Sequence, residues 1–258
     1  MKMNKIVGIV EARMSSTRLP GKVMKKILGR PALELLIERL KRAKTLDSIV
    51  VATSTQPEDK VIADLAERLG VNSYRGSLND VLSRVIEATK SVNGDIIVEI
   101  TGDCPLVDPE IVDKMVNTFL NNDVDYASNI LEATYPAGMD VQVFSLRVLE
   151  EISKIVKTPE EREHTSWLIY RNPKKTKYKL LNVKGPKELF QPHLRLMLDY
   201  PEDFELVSKI YENLYFSKPD FNIYDIIDLL ERKPELKKIN SAIEIKVFEG
   251  QKIAQSAD

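Results

Sequence analysis

The chain has no second cysteine to pair with Cys104, so no internal disulfide can form among its 258 residues. Packing alone must hold the fold, and a reducing cytosol suits such a chain. Only two histidines occur, His164 and His193, and no spacing of Cys, His, Asp or Glu resembles a zinc site. No apolar run approaches the roughly 18 residues of a membrane span. Met1-Lys2-Met3-Asn4-Lys5 leads into a strand-length apolar segment, too short for the core of a signal peptide. A cytoplasmic protein without membrane insertion is expected. Excess charge is also missing: 38 basic side chains against 39 acidic ones give a net charge of −1. No broad basic face follows, and a nucleic-acid partner is not expected. Two glycine signatures for nucleotides, GxxxxGK[ST] and GxGxxG, are absent as well.

What is present is a regular alternation. Hydrophobic residues make up 43% and charged residues 30%, a globular composition. Short apolar runs predict strands at Ile6–Val10, Ile49–Thr53, Asn72–Arg75, Ile96–Ile100 and Val124–Ser128. Helical patterns lie between them at Pro31–Ala43, Glu58–Leu69, Leu78–Ser91 and Pro109–Asn121. Pro31 and Pro109 suit a first helical turn, and Gly70 suits a stop. Ile49-Val50-Val51-Ala52 and Ile96-Ile97-Val98 are apolar on both faces, as strands inside a parallel sheet are. Repeated strand–helix–strand units predict an α/β fold with right-handed crossovers.

The second half changes rhythm. Strands are expected at Met139–Phe144 and Tyr178–Lys184, around helices Ser145–Val156 and Glu160–Arg171, as a small antiparallel insertion. His193–Asp199 alternates at period two and reads as a strand, with His193, Arg195 and Asp199 on one face. Helices follow from Pro201 to about Tyr215 and over Phe221–Lys233. The expected division is one domain over residues 1–233 and a tail over 234–258. Ile243–Phe248 is the tail's candidate edge strand, and its Gln-Ser-Ala-Asp end is expected to fray.

Six constellations carry the chemistry. In the first, three cations and three hydroxyls fall within the eleven residues Ala12–Lys22, directly after the first strand. Exposed cations at a strand end are ordinarily solvated surface. Backbone N–H groups together with Arg13, Arg18 and Lys22 at one point in space can instead hold a polyphosphate. In the second, Asp103 follows the buried strand Ile96–Ile100, where ligands of open α/β sheets collect. It reads either as a turn cap before Pro105 or as a Mg²⁺ ligand beside phosphates. In the third, Asp199 precedes Pro201 and reads either as a helix N-cap or as the second carboxylate of a magnesium site.

The other three are weaker. Arg75, Ser77 and Asp80 surround a strand-to-helix turn that could read a base edge, although Asp80 also suits the helix dipole. Asp140 and Gln142 share a strand face that could bind a hydroxylated acceptor. His164 sits in Glu161-Arg162-Glu163-His164-Thr165 and is taken as an acceptor-side candidate against its ordinary reading as a surface histidine. Cys104 reads as a small buried filler, and Trp167 with Tyr170 as core packing.

Taken together, the A-R-x-S-S-x-R-L-P-G-K loop, R-G-S-x-x-D-V-L-x-R, T-G-D-x-P-L and L-D-Y-P-E-D-F resemble the SpsF-type cytidylyltransferases, relatives of the CMP-KDO and CMP-acylneuraminate synthetases. The resemblance covers about residues 5 to 215, in order. It implies a GT-A-like, Rossmann-like nucleotidyltransferase with a mixed, mostly parallel sheet flanked by helices. It implies a triphosphate loop of Ala12, Arg13, Ser15, Ser16, Arg18 and Lys22. Arg75, Ser77 and Asp80 would lie near the base, Asp103 and Asp199 on Mg²⁺, and Asp140 and Gln142 near the acceptor. The resembling synthetases are commonly dimers. The expected reaction moves CMP from CTP to a sugar acid or another hydroxylated or phosphorylated acceptor, in surface polysaccharide or glycoconjugate synthesis. Arg13, Arg18 and Lys22 would stabilise the leaving pyrophosphate. Two rivals stand beside it: a GT-A glycosyltransferase using a nucleotide sugar, and a non-catalytic nucleotide-binding protein. Against the first, Gly102-Asp103-Cys104-Pro105 stands where that class carries D-x-D.

Overall fold

The computed structural model describes residues 4–171 and 176–255; the outermost N-terminal residues and the last three of the expected fray lie outside them. A seven-stranded sheet forms the middle layer, in the order β10-β7-β9-β6-β1-β4-β5. Its strands are β1 (Ile6–Glu11), β4 (Ser48–Ser54), β5 (Asn72–Gly76), β6 (Ile96–Thr101), β7 (Tyr126–Ser128), β9 (Gln142–Ser145) and β10 (Leu180–Asn182). Only β9 runs against the others, paired antiparallel to both β6 and β7. Two short pairs stand apart. The antiparallel β2 (Lys26–Ile27) and β3 (Arg30–Pro31) form one, and the parallel β8 (Glu132–Ala133) and β11 (Lys252–Ile253) form the other.

Alternate residues of the central strands feed two cores. Val10, Val51, Val98 and Ile100 point into one. It is closed by helices Ala32–Leu40, Lys60–Arg68, Pro109–Leu120, Pro201–Leu214 and Ile223–Arg232. Val7, Ile9, Val50 and Ile97 point into the other, under helices Val81–Ser91, Leu146–Ile155 and Trp167–Arg171. Burial on both faces is why these strands are apolar over most of their length. Asp108 caps helix Pro109–Leu120 by accepting from the Glu110 and Ile111 amides. Its other oxygen accepts from the Ile223 amide at 2.7 Å, tying helix Ile223–Arg232 to the rest of the domain.

Three expectations fail. The helix expected over Glu160–Arg171 is broken into Pro159–Glu163 and Trp167–Arg171. Between them Thr165 and Ser166 turn their hydroxyls to Glu11 and Gln142, at 3.0 and 2.8 Å. His193–Asp199 is not a strand. Its leucines are buried, but it makes one bridge, Ala137 to Arg195. The Leu198 amide goes instead to the Asp103 carbonyl at 2.7 Å. Period two therefore reported an extended segment wedged between two loops. Ile243–Phe248 is not a strand either. The tail strand is β11, and residues Glu244–Phe248 lie along the cleft.

Two glycines permit the close approaches that shape the cleft. A Cβ on Gly102 would meet the Glu11 carbonyl at 2.7 Å, so only glycine lets the turn carrying Asp103 lie on the end of β1. Gly138 has φ +102°, and a Cβ there would meet the Leu196 carbonyl at 2.6 Å.

Candidate active site

A cleft of about 650 Å³ opens at the carboxyl ends of β1 and β6, within the range of ligand pockets. The loop after β1 forms one wall. It closes on itself through the Ser16 and Gly21 amides, which both donate to the Met14 carbonyl, at 2.9 and 3.0 Å. Asp59, buried at the end of the Gln56–Asp59 turn, accepts from the Met14 amide at 2.6 Å and anchors the loop from behind. Ala12, Arg13, Ser15, Ser16, Thr17, Arg18 and Lys22 all line the cleft as a result.

Asp103 and Asp199 are distant in sequence but converge here. Lys22 Nζ lies 2.5 Å from Asp103 Oδ2 and 2.7 Å from Asp199 Oδ1. Arg18 takes the other Asp199 oxygen at 2.8 Å. Burial pushes the Asp103 carboxyl up, but the Lys22 charge and hydrogen bond outweigh it and hold the group below its usual range. Burial likewise opposes the charge on Lys22, and the two carboxylates reverse that and raise its pKa. Asp199 is not the N-cap of helix Pro201–Leu214. Asp203 accepts from the Asp199 and Tyr200 amides at 3.0 and 3.1 Å. Asp203 is fully buried and is held by Arg195, at 3.1 and 2.8 Å, and by Asn240 at 2.8 Å. That network leaves the Asp199 side chain free to face the loop.

The expected base-reading residues fall elsewhere. Arg75 donates to the Ser54 and Gln56 carbonyls, at 3.0 and 2.8 Å. Asp80 caps helix Val81–Ser91 and pairs with Arg162 at 2.8 Å, and Ser77 Oγ accepts from the Asp80 amide. None of the three lines the cleft, whereas Val81 and Arg84 do. Asp140, Gln142 and His164 line the cleft as well. Asp140 receives one amide, from Gly138 at 3.3 Å, and burial pushes its pKa up to about 6. The Gln142 side-chain oxygen, Oε1, accepts from the Tyr126 and Ser166 hydroxyls, at 2.5 and 2.8 Å. His164 packs edge-on against Trp167 and Phe248, and burial lowers its pKa, so it is neutral at pH 7. Cys104 is buried, and burial pushes its thiol well up, as befits a core filler.

Sequence reasoning passed over Glu11 and Glu99. Both line the same cleft, in reach of Thr165 and Ser166. A signal existed: Glu99 is the one charge in Ile96-Ile97-Val98-Glu99-Ile100, an otherwise apolar buried strand.

A crossover α/β sheet with a cationic loop and paired carboxylates at its carboxyl edge defines a nucleotidyltransferase-type protein. The sequence model of the family described as cytidylyltransferase matches residues 7–223, and the chain belongs to that family. It is a CTP-dependent nucleotidyltransferase. The chain is 41% identical to protein MJ1063 of Methanocaldococcus jannaschii, over 95% of this chain and 98% of that one. It is 32% identical to the spore coat polysaccharide biosynthesis protein SpsF of Bacillus subtilis, over 90% and 97%. A cytidylyltransferase structure from Leptospira borgpetersenii superposes with a TM-score of 0.85 at 33% identity, covering 95% of this chain and all of that one. The structure of CMP:2-keto-3-deoxy-manno-octonic acid synthetase complexed with CTP shares the fold, with a TM-score of 0.61 at 18% identity over 81% and 99%. Among the described residues, no helix is long and apolar enough to cross a membrane.

Proposed function

We propose that the protein transfers CMP from CTP to a hydroxylated or phosphorylated acceptor, sugar acids included, for surface polysaccharide or glycoconjugate synthesis. The observation that carries this reading is the convergence of Lys22 and Arg18 on Asp103 and Asp199, beside a loop of hydroxyls and amides. An acceptor oxygen forms a bond to the α-phosphorus. The bond from that phosphorus to the bridging oxygen breaks, and pyrophosphate leaves. Arg13, Arg18 and Lys22 meet the negative charge of the leaving group, so catalysis rests on positioning and electrostatics. Asp140, ionised above a pKa of about 6, takes the proton of the acceptor hydroxyl.

Asp103 and Asp199 fit Mg²⁺, because they offer hard oxygen donors at one point. Among the described residues no cluster of three or more His, Cys, Asp or Glu suited to a metal is present. That leaves the remaining coordination to phosphate and water, as Mg²⁺ prefers. The bound ion would neutralise charge on the phosphates. Lys22 holds the two carboxylates together and moves to phosphate when nucleotide enters. A homodimer belongs to the same reading, on the family resemblance.

The test is a screen of nucleoside triphosphates against acceptors that reads pyrophosphate release. Acceptor-dependent release with CTP, absent with ATP, GTP and UTP, is expected. Glycosyl transfer from a nucleotide sugar, or no turnover with any acceptor despite CTP binding, would overturn the reading.

A further inference from the structure

The cleft holds a second acidic pair, neither member of which pairs with Lys22. Glu99 is only 5% exposed, it lines the cleft, and its Oε2 has no hydrogen-bond partner among the described residues. An unpartnered carboxyl oxygen buried this deeply carries a desolvation cost that a ligand donor would remove. Glu11 lies two positions along the neighbouring parallel strand from Ile9, the register partner of Glu99, with its side chain beside that of Glu99, while its Oε1 accepts from Thr165. Burial first, then the charge of Glu11 and a hydrogen bond to it, push the Glu99 carboxyl well above its usual range.

Among the described residues no cation forms an ion pair with either acid, and Arg84 feels the charge of Glu11. Arg13, Arg18, Lys22, Arg195 and Lys252 pair with other carboxylates. Arg84 gives Nη1 to the Ser77 and Leu78 carbonyls, and Lys246 lies over the Phe248 ring. Glu99 stands in register opposite Gln142, and Asp140 adds a third carboxyl to the same cleft. A ligand bearing only a carboxylate would add a fourth carboxyl to that cluster. An ammonium has three N–H donors. It can satisfy Oε2 and offset the negative charge of the acidic cluster.

We propose that the acceptor is a hydroxylated compound carrying a protonated amine, and that Glu99, backed by Glu11, holds that ammonium. The proposal rests on the CTP reading above and narrows its acceptor. Cytosine also offers an amine, its exocyclic N4 group, and the experiment separates the two sources.

The test uses the full chain in calorimetry. CTP and UTP affinities are measured first. Glucosamine, N-acetylglucosamine and glucuronate are then titrated onto protein saturated with α,β-methylene-CTP, as matched probes that differ in the charge of one substituent. Glucosamine is expected to bind about tenfold more tightly than the other two, the scale of one charge-assisted hydrogen bond. Glu99→Gln keeps the shape of the side chain and should erase that preference while CTP affinity stays. Equal binding of the three probes, or binding of none, overturns the proposal. Loss of the preference for CTP over UTP in Glu99→Gln also overturns it, because Glu99 would then read the base. Failure of the wild type to bind CTP would instead remove the nucleotide reading beneath it.

Discussion

Replacing Lys22 by alanine should weaken the fold as well as the reaction. A free loop cation could be removed without structural cost, but Lys22 is 14% exposed and touches two carboxylates that are 15% and 11% exposed. Without it, two charges about 5 Å apart repel by roughly 3 kcal/mol at an effective dielectric of about 20. Arg18 still holds one oxygen of Asp199, so a net loss of about 2 kcal/mol is expected, less than for a fully buried pair. At roughly 2–4 °C per kcal/mol for a chain of this size, Tm should fall by about 4–8 °C.

The pH dependence has a definite sign. In the wild type the Asp103 pKa is depressed by Lys22 against burial. Its contribution is therefore present above the unfolded carboxyl pKa and lost as pH falls through the folded one. In Lys22→Ala the main influence opposing burial is gone and only the hydrogen bonds from Thr101 and the backbone remain, so the folded pKa rises and the cost shrinks as pH falls. The Tm gap should be widest near neutrality and narrow toward about pH 4. Millimolar Mg²⁺ should narrow it at neutral pH by neutralising the same carboxylates. Turnover should fall at least about 100-fold, the loss of roughly 3 kcal/mol of transition-state stabilisation. Scanning calorimetry with and without Mg²⁺, beside pyrophosphate release, reads all of this. A Tm that neither falls nor responds to Mg²⁺ would refute the reasoning.

Further outcomes follow from other parts of the cleft. Asp140 has a raised pKa of about 6, so its contribution to stability is full below the unfolded carboxyl pKa and lost as pH rises through 6. Asp140→Asn should raise Tm at pH 7.5 but not at pH 4, and should remove an inflection near pH 6 from the rate; an unchanged pH–rate profile excludes it as the base. Gly138→Ala forces a Cβ onto the Leu196 carbonyl at positive φ and should cost about 2–4 kcal/mol, read by urea unfolding; a loss below about 0.5 kcal/mol would show that the loop can relax. Light scattering at high micromolar concentration should give twice the chain mass of 29.4 kDa, and a monomer refutes the dimer.

Composition, patterning and loop chemistry determined a good deal by themselves. Runs apolar on both faces, such as Ile49–Ala52, can be buried only inside a parallel sheet between helices. The cluster of Arg13, Arg18 and Lys22 after β1 announced an anion-binding loop, because strand ends meet at one edge of such a sheet. Asp103 was legible for the same reason. Local pattern failed where distant chain supplied the partner. His193–Asp199 alternates as a strand does, yet its hydrogen bonds go to the Ala137 and Asp103 loops. The cap role open to Asp199 was taken by Asp203, because Arg195 and Asn240 fix Asp203 in the core. Arg75 and Asp80 were drawn into backbone and helix-end contacts, whereas Glu99 became a cleft residue only through its place opposite Gln142 and beside Glu11. Period and propensity are properties of neighbours along the chain, so the sequence alone determined the elements and the edge where the site lies. Which carboxylates meet a cation, and which are left facing each other, depends on charges brought together from as far as 81 and 177 residues along the chain, and only the tertiary structure decided that.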